Sequence, residues 1–326
     1  MNLYDMADLC TPWCLHVAAT LEIAEKIAAG TDRISDLARA AGCDREALHE
    51  MLGHLVGKGV FEEPEPGRFA LNDLAKQLLE PAMHVGLDLD GIGGRMAHIW
   101  STMLAYVQTG RTAFAQVFGR PFWEDLEANP KVAESFDALI GIVGHGTPDP
   151  RFPLTIGWEK VRRVVDVGGG TGAMLAEVLR AHPHVRGTLV DVPRTVARAA
   201  PVLEAAGVSD RATVAGQSFF DALPAGADVY LVRGVLNDWP DAEATTILRR
   251  CAEAAGPDGR VVVLKSLRAD RSPRTLGVEM LLCGGRSRTL EELRGIAHEA
   301  GLVLLGSGRQ EAGHFWAEFG RSVRAQ

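Results

Sequence analysis

An α/β fold with a mainly parallel sheet, preceded by a smaller helical unit, is predicted by three observations. From about residue 155, short apolar runs alternate with helical stretches: "RRVVDVGGG", "GTLVDVP", "ATVAGQ", "DVYLVRGVL", "GRVVVLKSL", and finally "LVLLGSG" before "HFWAEFG". Strand and helix in alternation build a parallel sheet covered on both faces. Before that point the pattern is almost wholly helical, and 326 residues are enough for two domains.

The first element, "TPWCLHVAATLEIAEKIAAG", has apolar residues at helical spacing and stops at Gly30. "TDRISDLARAAGCDREALHEMLGHLVGKGVF" then reads as helix, Gly42 turn and second helix, with Leu48, Leu52, Leu55 and Val56 on one face. "FEEPEPGRFAL" follows as two short strands joined by a Pro/Gly turn. Helix, turn, helix and hairpin make a winged-helix-like unit, placed at residues 1–97. Residues 98–154 continue as helices, and their Phe114, Phe118, Phe122, Trp123 and Phe136 read as core or pocket wall. Residues 155–326 hold the sheet.

Charge narrows the function. The whole chain carries a formal −8, and residues 1–100 contain 8 Lys/Arg against 16 Asp/Glu. Phosphate contacts supply most DNA affinity, so this acidic winged helix is poorly suited to nucleic acid and is read as a packing or dimerisation module. No apolar stretch approaches a membrane span, and the acidic start "MNLYDMADLC" lacks the basic residues of a secretory signal. The expectation is a cytoplasmic protein. Five cysteines, odd in number and without a Cys-x-x-Cys pair, indicate neither a disulfide framework nor a zinc site. "HPH" at 182–184 is read as a helix-ending turn, because Pro183 cannot extend the helix before it.

The chemistry-bearing motif is "VVDVGGGTGAMLAEVLRAHP". Glycines at 168, 169, 170 and 172 lie between an apolar strand and a helix, where they let backbone approach a ligand and turn sharply. Nineteen positions past Gly172, Asp191 ends the next strand, where a carboxylate can accept hydrogen bonds from both hydroxyls of a ribose. A second polar cluster, Asn237-Asp238-Trp239, closes the apolar run Val229–Leu236. Ligands in open α/β sheets bind beyond the carboxyl ends of the strands, so both clusters are site candidates.

"TPWCLHVAATLEIAEKI", "GRPFWEDL", "VVDVGGGTG", "LVDVP", "SFFDALPAGADVYLVRGVLNDW", "ILRRCAEAAGPDG" and "GGRSRT" occur in one order. In that order they resemble the class I S-adenosylmethionine-dependent small-molecule O-methyltransferases, in particular the bacterial enzymes that tailor polyketides and antibiotics. The resemblance covers nearly the whole chain. It implies a Rossmann-like cofactor domain, S-adenosyl-L-methionine or S-adenosyl-L-homocysteine as ligand, a small-molecule substrate, and a homodimer formed through the N-terminal unit. It further implies that Asp166 and the loop of Gly168, Gly170 and Gly172 pass the methionine moiety, that Asp191 takes the ribose, and that Ser218 and Phe219 border the adenine. Arg233 falls at a cationic or polar cofactor contact, and Trp239 packs on the adenine ring.

The chain departs from the family pattern where the family keeps its base. Most members have His-Asp-Trp, the His being oriented by two Glu residues; the corresponding positions here are Asn237, Lys265 and Ser287. An amide cannot remove a proton. Three replacements together suggest a reworked site. Lys265 would attract an anionic acceptor oxygen that Glu would repel. His145, in "GIVGHGTP", is the candidate replacement base. Two further readings remain beside methyl transfer: a relative that keeps the cofactor but catalyses hydroxylation, decarboxylation or pericyclic chemistry, and a noncatalytic binding protein.

Overall fold

The computed structural model describes residues 2–140, 148–269, 276–311 and 313–322, in two compact units, Met1–Gly146 and Thr147–Gln326. The helices expected as a separate segment at 98–154 therefore cluster mostly with the first unit. No helix among the described residues is long and apolar enough to cross a membrane.

In the first unit the helix expected to run unbroken to Gly30 is two helices, Cys10–Thr20 and Ile23–Ala28. The break falls at Glu22, whose φ of 51° is left-handed. Lys26 steadies it, its Nζ donating to Leu21 O at 2.9 Å and pairing with Glu22 Oε2 at 3.1 Å. The kink turns Ile23, Ala24 and Ile27 into a core shared with Leu37, Leu48, Leu52, Leu55, Phe61 and Phe69. Helices Ile34–Ala41 and Arg45–Gly57 follow the expected helix-turn-helix, with Gly42 left-handed and Asp44 capping Ala47 N–H at 2.9 Å. Strands β1 (Phe61–Glu65) and β2 (Arg68–Leu71) form the antiparallel hairpin. The aromatic set packs as core: Phe122 stands edge-on to Phe114, Trp123 and Phe136 at 5.4, 5.0 and 5.5 Å.

The second unit holds a seven-stranded sheet made by β3 (Arg163–Val167), β4 (Arg186–Asp191), β5 (Ala212–Gly216), β6 (Val229–Arg233), β7 (Arg260–Leu264), β8 (Leu302–Arg309) and β9 (Phe315–Arg321), in the order β5-β4-β3-β6-β7-β9-β8. Each falls on a run that the sequence marked as β-rich. β9 runs opposite to the other six strands, pairing antiparallel with both β7 and β8. Central strands bury both faces: Val164, Leu231 and Val262 join one core, while Val165, Val232 and Val263 join the other. This explains why those strands read as continuous apolar runs rather than alternating ones. Helix Ala173–Ala181 covers the first face and helix Asp241–Ala255 the second.

The chain builds β3, β4 and β5 outward in one direction, then returns to start β6 and β7 on the other side of β3. Strand order reverses between β3 and β6, and the loops leaving their carboxyl ends diverge to leave a crevice there. Those loops are the glycine loop and the Asn237 turn. The "HPH" segment is the expected helix end: His182 stacks on Trp158 at 4.0 Å, and His184 Nε2 lies 3.0 Å from Trp158 O.

Candidate active site

At the end of β3 the backbone must leave the sheet and enter a helix within five residues. Gly168 donates its N–H to Val190 O at 2.8 Å, with φ at 68°, and a Cβ there would stand 2.6 Å from Val235 Cγ2. Only glycine meets both constraints. Gly170, also left-handed, has open space where a Cβ would be, so its backbone faces a void rather than packed side chains. Gly172 caps helix Ala173–Ala181.

Two carboxylates flank this loop. Asp191 Oδ2 accepts the Gly170 N–H at 2.9 Å and its Oδ1 the Val192 N–H at 2.8 Å, so the residue expected for ribose also ties the end of β4 to the loop. Asp166 is fully buried, and neither oxygen has a well-formed hydrogen bond, the Leu175 N–H being its one weak backbone donor. Burial pushes its pKa up to about 7; Arg233 opposes the rise and Asp191 adds to it. A buried carboxylate short of donors is costly unless a cation or donor arrives.

On the other side of the crevice, β6 ends at Arg233 and Leu236–Asp238 form one 3₁₀ turn. Trp239 stands edge-on to Phe219 at 5.9 Å and to Phe220 at 4.8 Å. Phe219 in turn reaches Gly168, its Cε1 lying 3.5 Å from where a Cβ would be. Ser218 Oγ accepts the Phe220 N–H at 3.2 Å, shaping the turn that presents both phenylalanines. Thus Gly168, Phe219 and Trp239, distant in sequence, form one apolar wall.

Asn237 is held by its neighbours: its Nδ2 donates to Asp238 Oδ1 at 3.0 Å and its Oδ1 accepts from Ser266 Oγ at 3.3 Å. Asp238 is pushed up to about 7, by burial and then by Glu279. Lys265, just past β7, has φ 57°, an unusual conformation for a side chain of its size, and its N–H donates to Phe315 O at 3.2 Å. Burial and then Arg233 hold its pKa below the usual lysine range. Two cations therefore press on one another at the ends of β6 and β7. Ser287 is exposed and makes no hydrogen bond among the described residues, whereas Asn237 is tied to Ser266, the residue after Lys265. His145 lies outside the described residues.

Two residues went unmarked in the sequence reading. His314 is half-buried, and burial followed by the charges of Lys265 and Arg233 lowers its pKa, with Asp149 opposing. Arg288 is completely buried, its Nη1 donating to Leu236 O at 2.5 Å, Nη2 to Trp239 O at 2.8 Å and Nε to Asp241 Oδ1 at 2.8 Å. One guanidinium thus grips the carbonyls before and after Asn237-Asp238. Gly285, of the same "GGRSRT" motif, lets that segment lie against the turn, since a Cβ there would stand 2.2 Å from Asn237 O. Two arginines directly after a pair of glycines, in a segment with no helical or strand pattern, are the signal that could have marked it.

Residues 100–303 match the model of the O-methyltransferase domain, and residues 4–81 that of the O-methyltransferase dimerisation domain. The chain belongs to the O-methyltransferase family. It is 37% identical over 310 residues to the 2,7-dihydroxy-5-methyl-1-naphthoate 7-O-methyltransferase of Streptomyces carzinostaticus, covering 93% of each chain. It is also 39% identical over 317 residues to aclacinomycin 10-hydroxylase RdmB of Streptomyces purpurascens, covering 93% of this chain and 84% of that relative. Among solved structures it resembles NcsB1, an O-methyltransferase from neocarzinostatin biosynthesis in complex with S-adenosyl-L-homocysteine and 1,4-dihydroxy-2-naphthoic acid, with TM-score 0.88, 34% identity and 99% coverage of both chains.

S-adenosyl-L-methionine (SAM) is therefore the cofactor of this methyltransferase, and the residues present fit it. The poorly satisfied Asp166 carboxylate suits an ammonium group, the open face at Gly170 leaves room for backbone approach, and the Phe219–Trp239 wall suits a planar ring.

Proposed function

We propose that the enzyme methylates an oxygen of a small aromatic acid that reaches the site already ionised. The observation that carries this reading is an Asn237 whose amide cannot accept a proton, with the cations Arg233 and Lys265 at the adjacent ends of β6 and β7. Bound at the glycine loop, the cofactor supplies an electrophilic methyl group. Gly170 and Asp191 would hold its polar groups, and Phe219 and Trp239 would flank its ring. Lys265 attracts the acceptor anion and orients it. Proximity and orientation alone lower such a barrier by several kcal/mol, so no general base is required once the nucleophile is charged. The naphthoate acceptor of the relative from Streptomyces carzinostaticus is of this chemical class.

Removing the charge with Lys265→Met is expected to lower kcat/KM about 10- to 150-fold, the worth of a charge-assisted hydrogen bond of about 1.5–3 kcal/mol. Restoring the family base with Asn237→His is expected to bring no large gain. The rate should follow the acceptor's own ionisation, shifted to lower pH by Lys265. A hundredfold acceleration in Asn237→His with a neutral Lys265→Met would mean a protonated acceptor and would refute the mechanism.

The assembled species is a homodimer in this reading, supported by the dimerisation-domain match over residues 4–81. Leu3, Tyr4, Met6 and Leu9 are exposed on the first unit, an apolar edge that association would bury. Sedimentation at micromolar concentration is expected to give twice the 35.0 kDa chain mass; a purely monomeric species would contradict it.

A second reading, non-methylating chemistry on the same cofactor, is favoured by the 39% identity to a hydroxylase. It differs in one product: it forms no S-adenosyl-L-homocysteine.

A further inference from the structure

We propose that the N-terminal unit carries a zinc site formed by Cys10, Cys14 and His54, independent of the methyl-transfer site. Cys10 and Cys14 begin successive turns of helix Cys10–Thr20, and their sulfurs lie 3.8 Å apart. Two thiolates each about 2.3 Å from a tetrahedral zinc ion stand about 3.8 Å apart, so the pair already has the spacing of one edge of a coordination tetrahedron. The third ligand comes from helix Arg45–Gly57: the ligand atoms of Cys10, Cys14 and His54 all lie within 4.8 Å of one another. Two sulfurs and one imidazole nitrogen are the donor set that selects Zn²⁺ over hard cations.

The surroundings support the set. Thr11 Oγ1 lies 2.8 Å from His54 Nε2 and donates to Asp8 Oδ2 at 2.6 Å, and Lys58 Nζ donates to the same Asp8 oxygen at 2.8 Å. This chain fixes the imidazole ring as outer-shell partners do in zinc proteins. Cys10 is exposed in the single chain, which gives the ion an entry path. On binding, two S–H bonds break and two Zn–S bonds form. The two protons pass to the buffer, and nothing is oxidised or reduced. Neither a Cys-x-x-Cys search nor cysteine parity finds this arrangement, because the spacing is Cys-x-x-x-Cys and the histidine lies on another helix.

The test is a titration of reduced, metal-free, full-length protein with Zn²⁺ against a chromogenic chelator, with Co²⁺ as spectroscopic probe. One equivalent is expected per chain, with a thiolate-to-cobalt band in the ultraviolet. Cys10→Ser and Cys14→Ser should each weaken binding about 100-fold or more, Thr11→Val about 10-fold, and Cys43→Ser not at all. Zinc binding that persists in the Cys10→Ser/Cys14→Ser double variant would overturn the site. So would reduced wild-type protein that binds no more tightly than that variant.

Discussion

Asp191→Ala is expected to weaken SAM binding about 100-fold, the largest loss of cofactor affinity foreseen for a single substitution. The carboxylate has two tasks. It is placed to accept from a ribose, and in the structure it already accepts the Gly170 and Val192 N–H groups. Alanine removes the ribose acceptor and also releases the loop that must lie against the methionine moiety. Charge-assisted hydrogen bonds of this kind contribute about 1.5–3 kcal/mol each, and two that act on one loop do not add fully. Asp191→Asn keeps an acceptor for one N–H and should fall between. Calorimetry with SAM on the full chain reads both values; unchanged affinity in Asp191→Ala would remove the ribose assignment.

Arg288→Met is expected to cost about 2–5 kcal/mol of stability, and the enzyme that remains should turn over more slowly. The guanidinium donates to Trp239 O and to Leu236 O, the latter otherwise reached only at 3.4 Å by the Trp239 N–H. Each orphaned buried carbonyl costs about 1–3 kcal/mol. Asp241 loses less, since Arg286 Nη2 still reaches its Oδ2 at 2.7 Å. Arg288→Lys, with one point donor in place of a fork, should recover part of the loss. Urea unfolding measures the first effect. A stable variant with normal turnover would show that the turn keeps its shape without the clamp.

The contrast between these two residues explains what the sequence reveals. Asp191 is legible because strand, glycine loop, helix and strand follow in order, so a fixed spacing brings it to the crevice. The seven strands are legible for the same reason: burial on both faces writes a continuous apolar run into each. Arg288 gathers atoms from residues 236, 239 and 241, a convergence created only when helix Asp241–Ala255 and the turn before it pack against a distant motif. His314 gains its company from β6 and β7 in the same way. The break at Glu22 escaped notice because no glycine or proline marks it. Motif position groups Ser287 with Asn237 and Lys265, whereas the structure leaves Ser287 exposed and ties Asn237 to Ser266.

Methyl transfer itself is tested most directly by following both of its products. The full-length enzyme is incubated with SAM and a hydroxynaphthoate, and S-adenosyl-L-homocysteine and product are quantified together over time. The expected result is one S-adenosyl-L-homocysteine formed for each O-methylated product, with the rate falling in Lys265→Met. Conversion of the acceptor to a hydroxylated, decarboxylated or cyclised product while SAM is left intact would contradict it.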